Sequence, residues 1–320
     1  MAPTAPTRAL DHGDTGPAAH ALAQDRGADC AQCLRPSFTA RLSQDLDRGA
    51  AVNLIAVAGQ GATRLLADLQ WLAATGQARG PRLVANLKRY RASLAGLTQD
   101  LWRQSGLAGT APASFGDLCD RLEREAVSGV LLLDHFDALL ANPDLDPGYD
   151  DGFLDALNAL RNRGLGLVCV SARRIEHRPL LLSGRVRTTS TLDLIREDLP
   201  ALMHAEVRLE ITRHAPPLDA AGQAQLAQAV LRDGQPVRFL ELALKRIGDG
   251  VDADLPLPQR LDRWQRELRR ERRTLTPRAL LRLRDMTITS WRSAGLDRLP
   301  WQGIADSIKA VLRPGGGNKG

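Results

Sequence analysis

A turn with two glycines and a threonine, GQGAT from Gly59 to Thr63, follows an apolar run and opens a helical pattern. Such a turn can bind phosphate, because its backbone N–H groups and the helix N-terminus point at the anion. The Thr63 hydroxyl is placed to bind Mg²⁺ beside that phosphate. Further along, four apolar residues end in Asp134, an acid that can hold the same ion through water. Gly59, Gly61, Thr63 and Asp134 therefore predict a site for phosphate and Mg²⁺.

Three positions of this pattern hold residues that weaken the expected chemistry. Aligned on G-x-x-x-x-G-K-[ST], the turn has Ala62 at the lysine and Ala56 at the first glycine. His135 follows Asp134, where an acid usually activates the attacking water. Without the lysine, the charge of the outer phosphates stays uncompensated. Ala62 and His135 are therefore degenerate catalytic positions, and the sequence predicts no hydrolysis and either no cofactor or weak binding of ATP and Mg²⁺.

Continuous apolar runs alternate with amphipathic segments through the first half of the chain. The predicted strands cover residues 51–59, 81–87, 130–133 and 165–170. The predicted helices cover residues 37–48, 61–76, 93–104, 115–126 and 149–162. Strands that are apolar throughout are buried on both faces, so the pattern predicts an α/β fold with a doubly wound parallel sheet. Ligands of such sheets bind at the carboxyl ends of the strands.

The second half of the chain is mainly helical in pattern. A strand is predicted at Glu206–Ile211, followed by helices over 220–231 and 236–247 and arginine-rich helices over 261–293. The predicted domains are a flexible tail (1–35), an α/β domain (36–190), a helical lid (191–250), a basic helical extension (251–314) and a flexible end (315–320).

Composition excludes several classes of protein. Of the 320 residues, 43% are hydrophobic and 25% charged, as in an ordinary globular protein. No run of about 18 apolar residues occurs, so neither a transmembrane helix nor a membrane partner is expected. Four cysteines do not make a disulfide framework, and a reducing cytoplasm is the predicted compartment.

Positive charge is concentrated near the C-terminus. The segment Arg260–Arg298 contains 12 arginines and 5 acids, a net charge of +7 in a chain of net charge +6. These arginines could bind the phosphates of a nucleic acid. Alternatively, they form a solvated helical face. An apolar stripe of Leu261, Trp264 and Leu268 predicts packing, either within the chain or against a protein partner.

The order of these motifs resembles the AAA-like, signal-transducing (STAND) P-loop ATPases of bacteria, over roughly residues 37–247. The resemblance rests on GQGATRLL, LLLDHFDALL, VSARR and the lid segment GQPVRFLELAL. It implies a P-loop NTPase-like fold, with Ser171 as a polar sensor and Arg173 or Arg174 as the arginine of the site. The nucleotide-binding positions it implies are Gly59, Gly61, Thr63, Arg64, Asp134, Ser171 and Arg173, with Thr63 and Asp134 as the ancestral Mg²⁺ positions.

Each of these features also has a purely structural interpretation. The turn can be an ordinary strand–helix connection, and Asp134 can cap the following helix. Cys30 and Cys33 are interpreted as free cysteines, since a zinc site needs about four ligands and only His12 and His20 lie nearby in sequence.

Three functions are consistent with the sequence. The first is a non-catalytic regulatory or adaptor subunit of a bacterial multi-protein assembly, in signalling or defence. The second is an ATPase that switches conformation with nucleotide. The third is a nucleic-acid-associated, ATPase-like regulator that uses the C-terminal arginines.

Overall fold

A computed structural model describes residues 30–125, 129–140, 144–175, 181–182, 186–187 and 192–271. The chain forms two compact units, Met1–Leu261 and Asp262–Gly320. Residues 1–29 and 272–320 lie outside the described residues, and with them most of the predicted tail (1–35), most of the arginine-rich helices and the predicted flexible end (315–320). The domain division proposed above therefore stays a prediction.

Helices and strands alternate through the first unit. The strands are β1 (Ala51–Ile55), β2 (Arg82–Asn86), β3 (Val130–Asp134), β4 (Gly166–Ser171), β5 (Leu181–Leu182), β6 (Val186–Arg187) and β7 (Ile195–Asp198). The helices are α1 (Pro36–Asp47), α2 (Ala62–Ala74), α3 (Leu87–Tyr90), α4 (Leu94–Ser105), α5 (Phe115–Arg124), α6 (Asp151–Asn162), α7 (His204–His214), α8 (Ala220–Arg232) and α9 (Pro236–Gly248). Short 3-10 turns occur at Cys30–Gln32 and Phe136–Leu139.

Five strands form one parallel sheet in the order β2-β3-β4-β1-β7. Strands β5 and β6 form a separate antiparallel pair. The carboxyl ends of β1, β3 and β4 therefore lie side by side, with β4 in the middle. The predicted α/β fold with a parallel sheet is confirmed.

Both faces of the sheet are buried, because alternate residues of each strand enter different cores. On one face, Leu131 and Leu133 of β3 pack in a cluster that includes residues of α4, α5 and α6. On the other face, Val130 and Leu132 of the same strand join a cluster with residues of α1 and α2. This two-sided burial explains why the strands are apolar throughout.

The strand predicted at Glu206–Ile211 is wrong, because these residues form part of helix α7. A strand would bury Val207, Leu209 and Ile211 on one face. Instead Val207 and Ile211 are buried four residues apart, while Leu209 is 42% exposed. The spacing of the buried positions is helical, and the alternation of apolar residues was misleading.

The sequence analysis missed strand β7. It pairs in parallel with β1, from Val52 opposite Ile195 to Ile55 opposite Asp198. The strand is mostly exposed at the edge of the sheet, so its residues need not be apolar. The region predicted as a lid from residue 191 thus begins with a strand of the sheet, and its helices are α7, α8 and α9, here called the lid.

Residues 30–35 were predicted as part of a flexible tail, but the structure packs them against α2. Cys30 and Cys33 are buried with Leu72 of α2, and neither forms a disulfide within the described residues. A hydrogen bond with Cys30 and burial raise the pKa of the Cys33 thiol. The zinc partners considered above, His12 and His20, lie outside the described residues.

The second unit is described only over residues 262–271, which are helical. Trp264 and Leu268 are buried, whereas Arg269 and Arg270 are exposed. The buried positions of this stretch are those of the predicted apolar stripe. No helix within the described part of the chain is long and apolar enough to span a bilayer.

Candidate phosphate-loop site

The turn between β1 and α2 lies at the carboxyl edge of the sheet. Gly59 and Gly61 have φ values of +86° and +92°, a left-handed conformation that glycine adopts without strain. Gly61 is the N-cap of α2 and supplies no side-chain cap, so the first N–H groups of the helix receive no capping bond from it. The backbone thus has features that a phosphate-binding turn requires.

Thr63 and Asp134, the two predicted Mg²⁺ positions, are in direct contact. The Thr63 hydroxyl donates a hydrogen bond of 2.9 Å to Asp134 Oδ2. Asp134 is only 3% exposed, because β3 lies inside the sheet and the carboxylate is covered by neighbouring elements. The fold therefore brings an Mg²⁺-type pair of oxygen ligands together, and in this structure they bind each other.

No free cation belongs to residues 56–64, all of which the structure describes. Ala62 is half-buried and packs against the core beneath α2, and Ala56 is buried in the same cluster. The Arg64 guanidinium donates to Asp68 Oδ1 and Glu210 Oε1, each at 2.9 Å. The basic side chain of this stretch is therefore neutralised by two acids, and the residues of the turn do not fit a triphosphate.

His135 lies beside Asp134, with its Nε2 3.9 Å from Asp134 Oδ2. Its backbone has φ +58°, and its carbonyl accepts the N–H of Ala138 as the 3-10 turn begins. Histidine tolerates this conformation better than most residues do. His135 thus borders the predicted site, but its neighbouring acid is already bonded to Thr63.

Ser171, the predicted sensor, is buried, and its hydroxyl both accepts and donates a hydrogen bond. It accepts a 2.7 Å hydrogen bond from the Asn53 side-chain amide and donates to the carbonyl of Arg173. Asn53 also donates to Cys169 O and accepts from the N–H of Ile175. Ser171 therefore fixes the turn after β4. Arg173 itself is exposed.

The lid covers the turn at its two glycines. A Cβ on Gly59 would overlap the side chain of Gln235, and one on Gly61 would lie 2.6 Å from Val237 Cγ2. The N–H of Val237 donates to the Gly59 carbonyl at 3.2 Å. Gln235 is 6% exposed, and its Oε1 has no hydrogen-bond partner among the described residues. The start of α9 is thus fitted directly onto the turn.

A second fixed contact comes from the N-terminal side. Arg35 is buried and donates to Gln60 O at 2.7 Å and to Pro200 O at 3.0 Å. Burial lowers the pKa of Arg35, and Glu206 and Asp68 oppose that shift. The carbonyls of Gly59 and Gln60 are therefore both held by residues outside the turn.

A cavity of about 250 Å³ lies beside the turn, lined by residues of α2, α7 and α9. The Glu210 side chain is 2% exposed and is paired with both Arg64 and Arg213. Glu241 belongs to the same wall, where partial desolvation raises its pKa; Arg64 opposes that shift and Glu210 adds to it. The charges around this cavity are therefore mostly satisfied by one another.

The structure unites some predicted residues and separates others. Gly59, Gly61, Thr63 and Asp134 meet at the edge of the sheet, whereas Arg64 faces Asp68 and Glu210 and Ser171 faces Asn53. Sequence reasoning missed Asn53 and Arg35. Asn53 could have been found, because it is the one polar residue in the apolar run AVNLIAVAG. Arg35 gave no signal, since it stands at the end of a tail-like segment.

No protein-family model matches this chain, and no curated protein matches its sequence. Two solved structures are similar in fold. The Orc1 protein of Aeropyrum pernix, in complex with DNA, is 18% identical over 73% of this chain, with a TM-score of 0.47. PCH-2 of C. elegans is 11% identical over 78% of this chain and 69% of its own, with a TM-score of 0.41. This chain spans 65% of the Orc1 chain.

Proposed function

We propose that this chain is a non-catalytic regulatory or adaptor subunit, built on an ATPase fold, of a bacterial cytoplasmic assembly. The proposal rests on the residues of the turn between β1 and α2 and on the contacts that they make. It has no lysine, its one arginine is neutralised by Asp68 and Glu210, and its glycines are covered by Gln235 and Val237. The STAND resemblance supports signalling or defence as the setting, with protein partners.

This proposal predicts that the lid needs no nucleotide to stay on the turn. Val237 and Gly59 are hydrogen-bonded, and Arg35 holds Gln60, through protein atoms alone. Hydrogen–deuterium exchange of residues 235–248 is therefore expected to be the same with and without MgATP. Protection that rises with MgATP would contradict the proposal and favour a nucleotide switch.

Calorimetry and phosphate release test the loss of the site directly. The natural chain is expected to give no saturable heat with MgATP and no phosphate release above buffer. Any release that persists in Asp134→Ala comes from a contaminant. Saturable binding together with steady release that Asp134→Ala abolishes would overturn the proposal.

A lysine at position 62 shows whether ATP binding lacks only a positive charge or whether the turn itself no longer fits phosphate. Ala62→Lys is expected to strengthen ATP binding, because it adds the missing cation beside the N-terminus of α2, which receives no side-chain capping bond from Gly61. Ala62→Met is the matched control, since it adds a side chain of similar reach without charge. Equal binding by the two variants would show that the turn itself no longer fits phosphate.

A nucleotide-controlled switch is the second candidate function. It is favoured by one observation, the 2.9 Å contact that brings together the two oxygen ligands Thr63 and Asp134. Under this candidate, MgATP raises the melting temperature of the natural chain and Asp134→Ala abolishes that rise. Under the non-catalytic proposal, MgATP leaves the melting temperature unchanged.

A further inference from the structure

Exposed cations follow two strands of the sheet at its carboxyl edge. Lys88, Arg89 and Arg91 come directly after β2, and Arg173 and Arg174 come directly after β4. All five are exposed, and they are here called the cationic edge.

The register of the sheet places the cations that follow β2 and those that follow β4 at the same level along the strands. Asn86 of β2 lies opposite Asp134 of β3, and Leu133 of β3 lies opposite Cys169 of β4. The residues that follow β2 and β4 therefore emerge from the same end of the sheet. Their strands are two positions apart, a separation of about 10 Å. The five cations are spread along this edge rather than gathered around one point.

These cations differ from many other arginines of the first unit. Ion pairs with acids engage the following arginines: Arg41, Arg48, Arg64, Arg82, Arg103, Arg161, Arg163, Arg196 and Arg213. None of the five cations of the edge pairs with an acid within the described residues. Arg89 instead lies over the ring of Tyr90, 5.5 Å from its centroid.

Acids near the edge do not cancel this charge. Asp134 is buried and bonded to Thr63, and the Asp146 carboxylate accepts the N–H groups of Leu94 and Gly148. Against the five cations, the four acids Asp134, Asp137, Asp144 and Asp146 leave a formal excess of +1. Such a surface attracts an anionic partner over a distance of about a Debye length.

We propose that the cationic edge binds the phosphate backbone of a nucleic acid. A single small anion would not use cations spread over about 10 Å, whereas DNA presents one charge per roughly 1.7 Å of its axis. The buried centre of a protein–protein interface is usually more apolar than the rest of the surface. Val57 is the exposed large apolar residue on the β1 turn, so the edge is far richer in charge than in apolar surface.

Two variants of the full chain test the cationic edge. The two variants have the same net charge as each other. The edge variant carries Lys88→Gln, Arg89→Gln, Arg173→Gln and Arg174→Gln. The control variant removes four other exposed cations that make no ion pair within the described part of the chain: Arg79→Gln, Arg124→Gln, Arg208→Gln and Arg232→Gln. Both variants keep Arg260–Arg298, so any binding by that segment is the same in each.

The measurement is fluorescence anisotropy with a labelled DNA duplex of about 20 base pairs and arbitrary sequence, from about 50 to 200 mM salt. Each phosphate contact contributes about 0.9 to the slope of log K against log salt. The edge variant is therefore expected to lower that slope by about 3 to 4, and the control variant by less than about 1. Base sequence is expected to change the affinity little, because phosphate contacts carry no sequence information.

Three results would overturn the proposal: no binding of DNA by the natural chain, equal slopes in the two variants, or a DNA affinity that the edge variant retains. Poly-glutamate is the probe for the alternative partner. If it binds with the same dependence on the edge and DNA does not bind, the surface serves an acidic protein instead. Thermal melting of both variants checks that they fold, and exposed Lys/Arg→Gln changes are expected to leave it unchanged.

Discussion

Gly61 and Val237 touch so closely that no side chain fits at position 61. A Cβ there would lie 2.6 Å from Val237 Cγ2, and the backbone of Gly61 also has φ +92°. Val237 is 3% exposed, so it has little room to move away. The turn that would otherwise cradle phosphate is thus a packing contact between the sheet and the lid.

Gly61→Ala is expected to destabilise the protein by about 2–5 kcal/mol, through backbone strain and overpacking together. Gly76→Ala is the matched control, because Gly76 has φ +75° but nothing within 4 Å of its missing Cβ. Gly76→Ala therefore measures the cost of the backbone strain alone, about 1–2 kcal/mol. Urea unfolding measures both values, and equal losses would show that the contact with Val237 does not matter.

Val237→Ala combined with Gly61→Ala tests the same contact by rescue. The smaller side chain makes room for the new Cβ, so the double variant is expected to lose less than the sum of the single losses. A coupling of about 0.5–3 kcal/mol is usual for residues in contact. Strict additivity in urea unfolding would mean that the two residues do not touch.

The hydrogen bond from Thr63 to Asp134 is expected to stabilise the fold. Thr63→Val removes the donor and leaves a buried carboxylate without this bond, at a cost of about 1–3 kcal/mol. Thr63→Ser keeps the hydroxyl and is expected to retain most of the stability. In an Asp134→Asn background, the cost of Thr63→Val should shrink. Denaturant unfolding of these proteins gives the comparison, and equal effects of Val and Ser would refute it.

Asn53 is expected to be the more sensitive of the two buried polar residues behind the site. It makes three hydrogen bonds, to Cys169 O, Ser171 Oγ and the N–H of Ile175, at 3.1, 2.7 and 2.8 Å. Asn53→Leu removes all three bonds and should cost about 3 kcal/mol or more. Ser171→Ala removes one of these bonds and should cost less. The unfolding midpoints of the two variants in urea are compared, and Asn53→Leu is expected to have the lower one.

Glu241 is expected to make the stability of the lid depend on pH. Its pKa is raised in the folded state, so the folded protein binds the proton more tightly than the unfolded chain. The carboxylate therefore costs stability as the pH rises from the ordinary glutamate pKa through the raised one. Glu241→Gln is expected to raise the melting temperature at neutral pH and to have little effect below the ordinary glutamate pKa. A gain that is equal at both pH values would contradict this.

The apolar stripe of the C-terminal helix is expected to act in folding rather than in partner binding. Trp264 is fully buried, and its truncation to Ala should cost about 3–5 kcal/mol. Arg269→Gln with Arg270→Gln changes exposed positions and should stay within about 0.5 kcal/mol. Calorimetric melting of both variants provides the test. A stable Trp264→Ala variant that loses a protein partner would restore the interface interpretation.

The α/β class and most of its elements could be predicted from the residues alone. The runs at Val130–Asp134 and Gly166–Ser171 are almost wholly apolar because both faces of a parallel sheet are covered, and that pattern survives in any single sequence. The same reasoning predicted that Gly59, Gly61, Thr63 and Asp134 meet, because the carboxyl ends of parallel strands share one edge. Two elements were not predicted correctly. Edge strand β7 was missed because most of its residues are exposed, and helix α7 was predicted as a strand because its apolar residues alternate by chance.

Long-range packing set the partners of the side chains at that edge. Arg64 could have faced a phosphate, but Glu210 arrives from α7, 146 residues later, and neutralises it. Ser171 could have faced a ligand, but Asn53 on the neighbouring strand takes its hydroxyl. Nothing local to GQGAT indicates that Val237 will cover Gly61. Such contacts join residues far apart in the chain, and the residue types and spacing within one segment carry no information about which distant side chain will pack there.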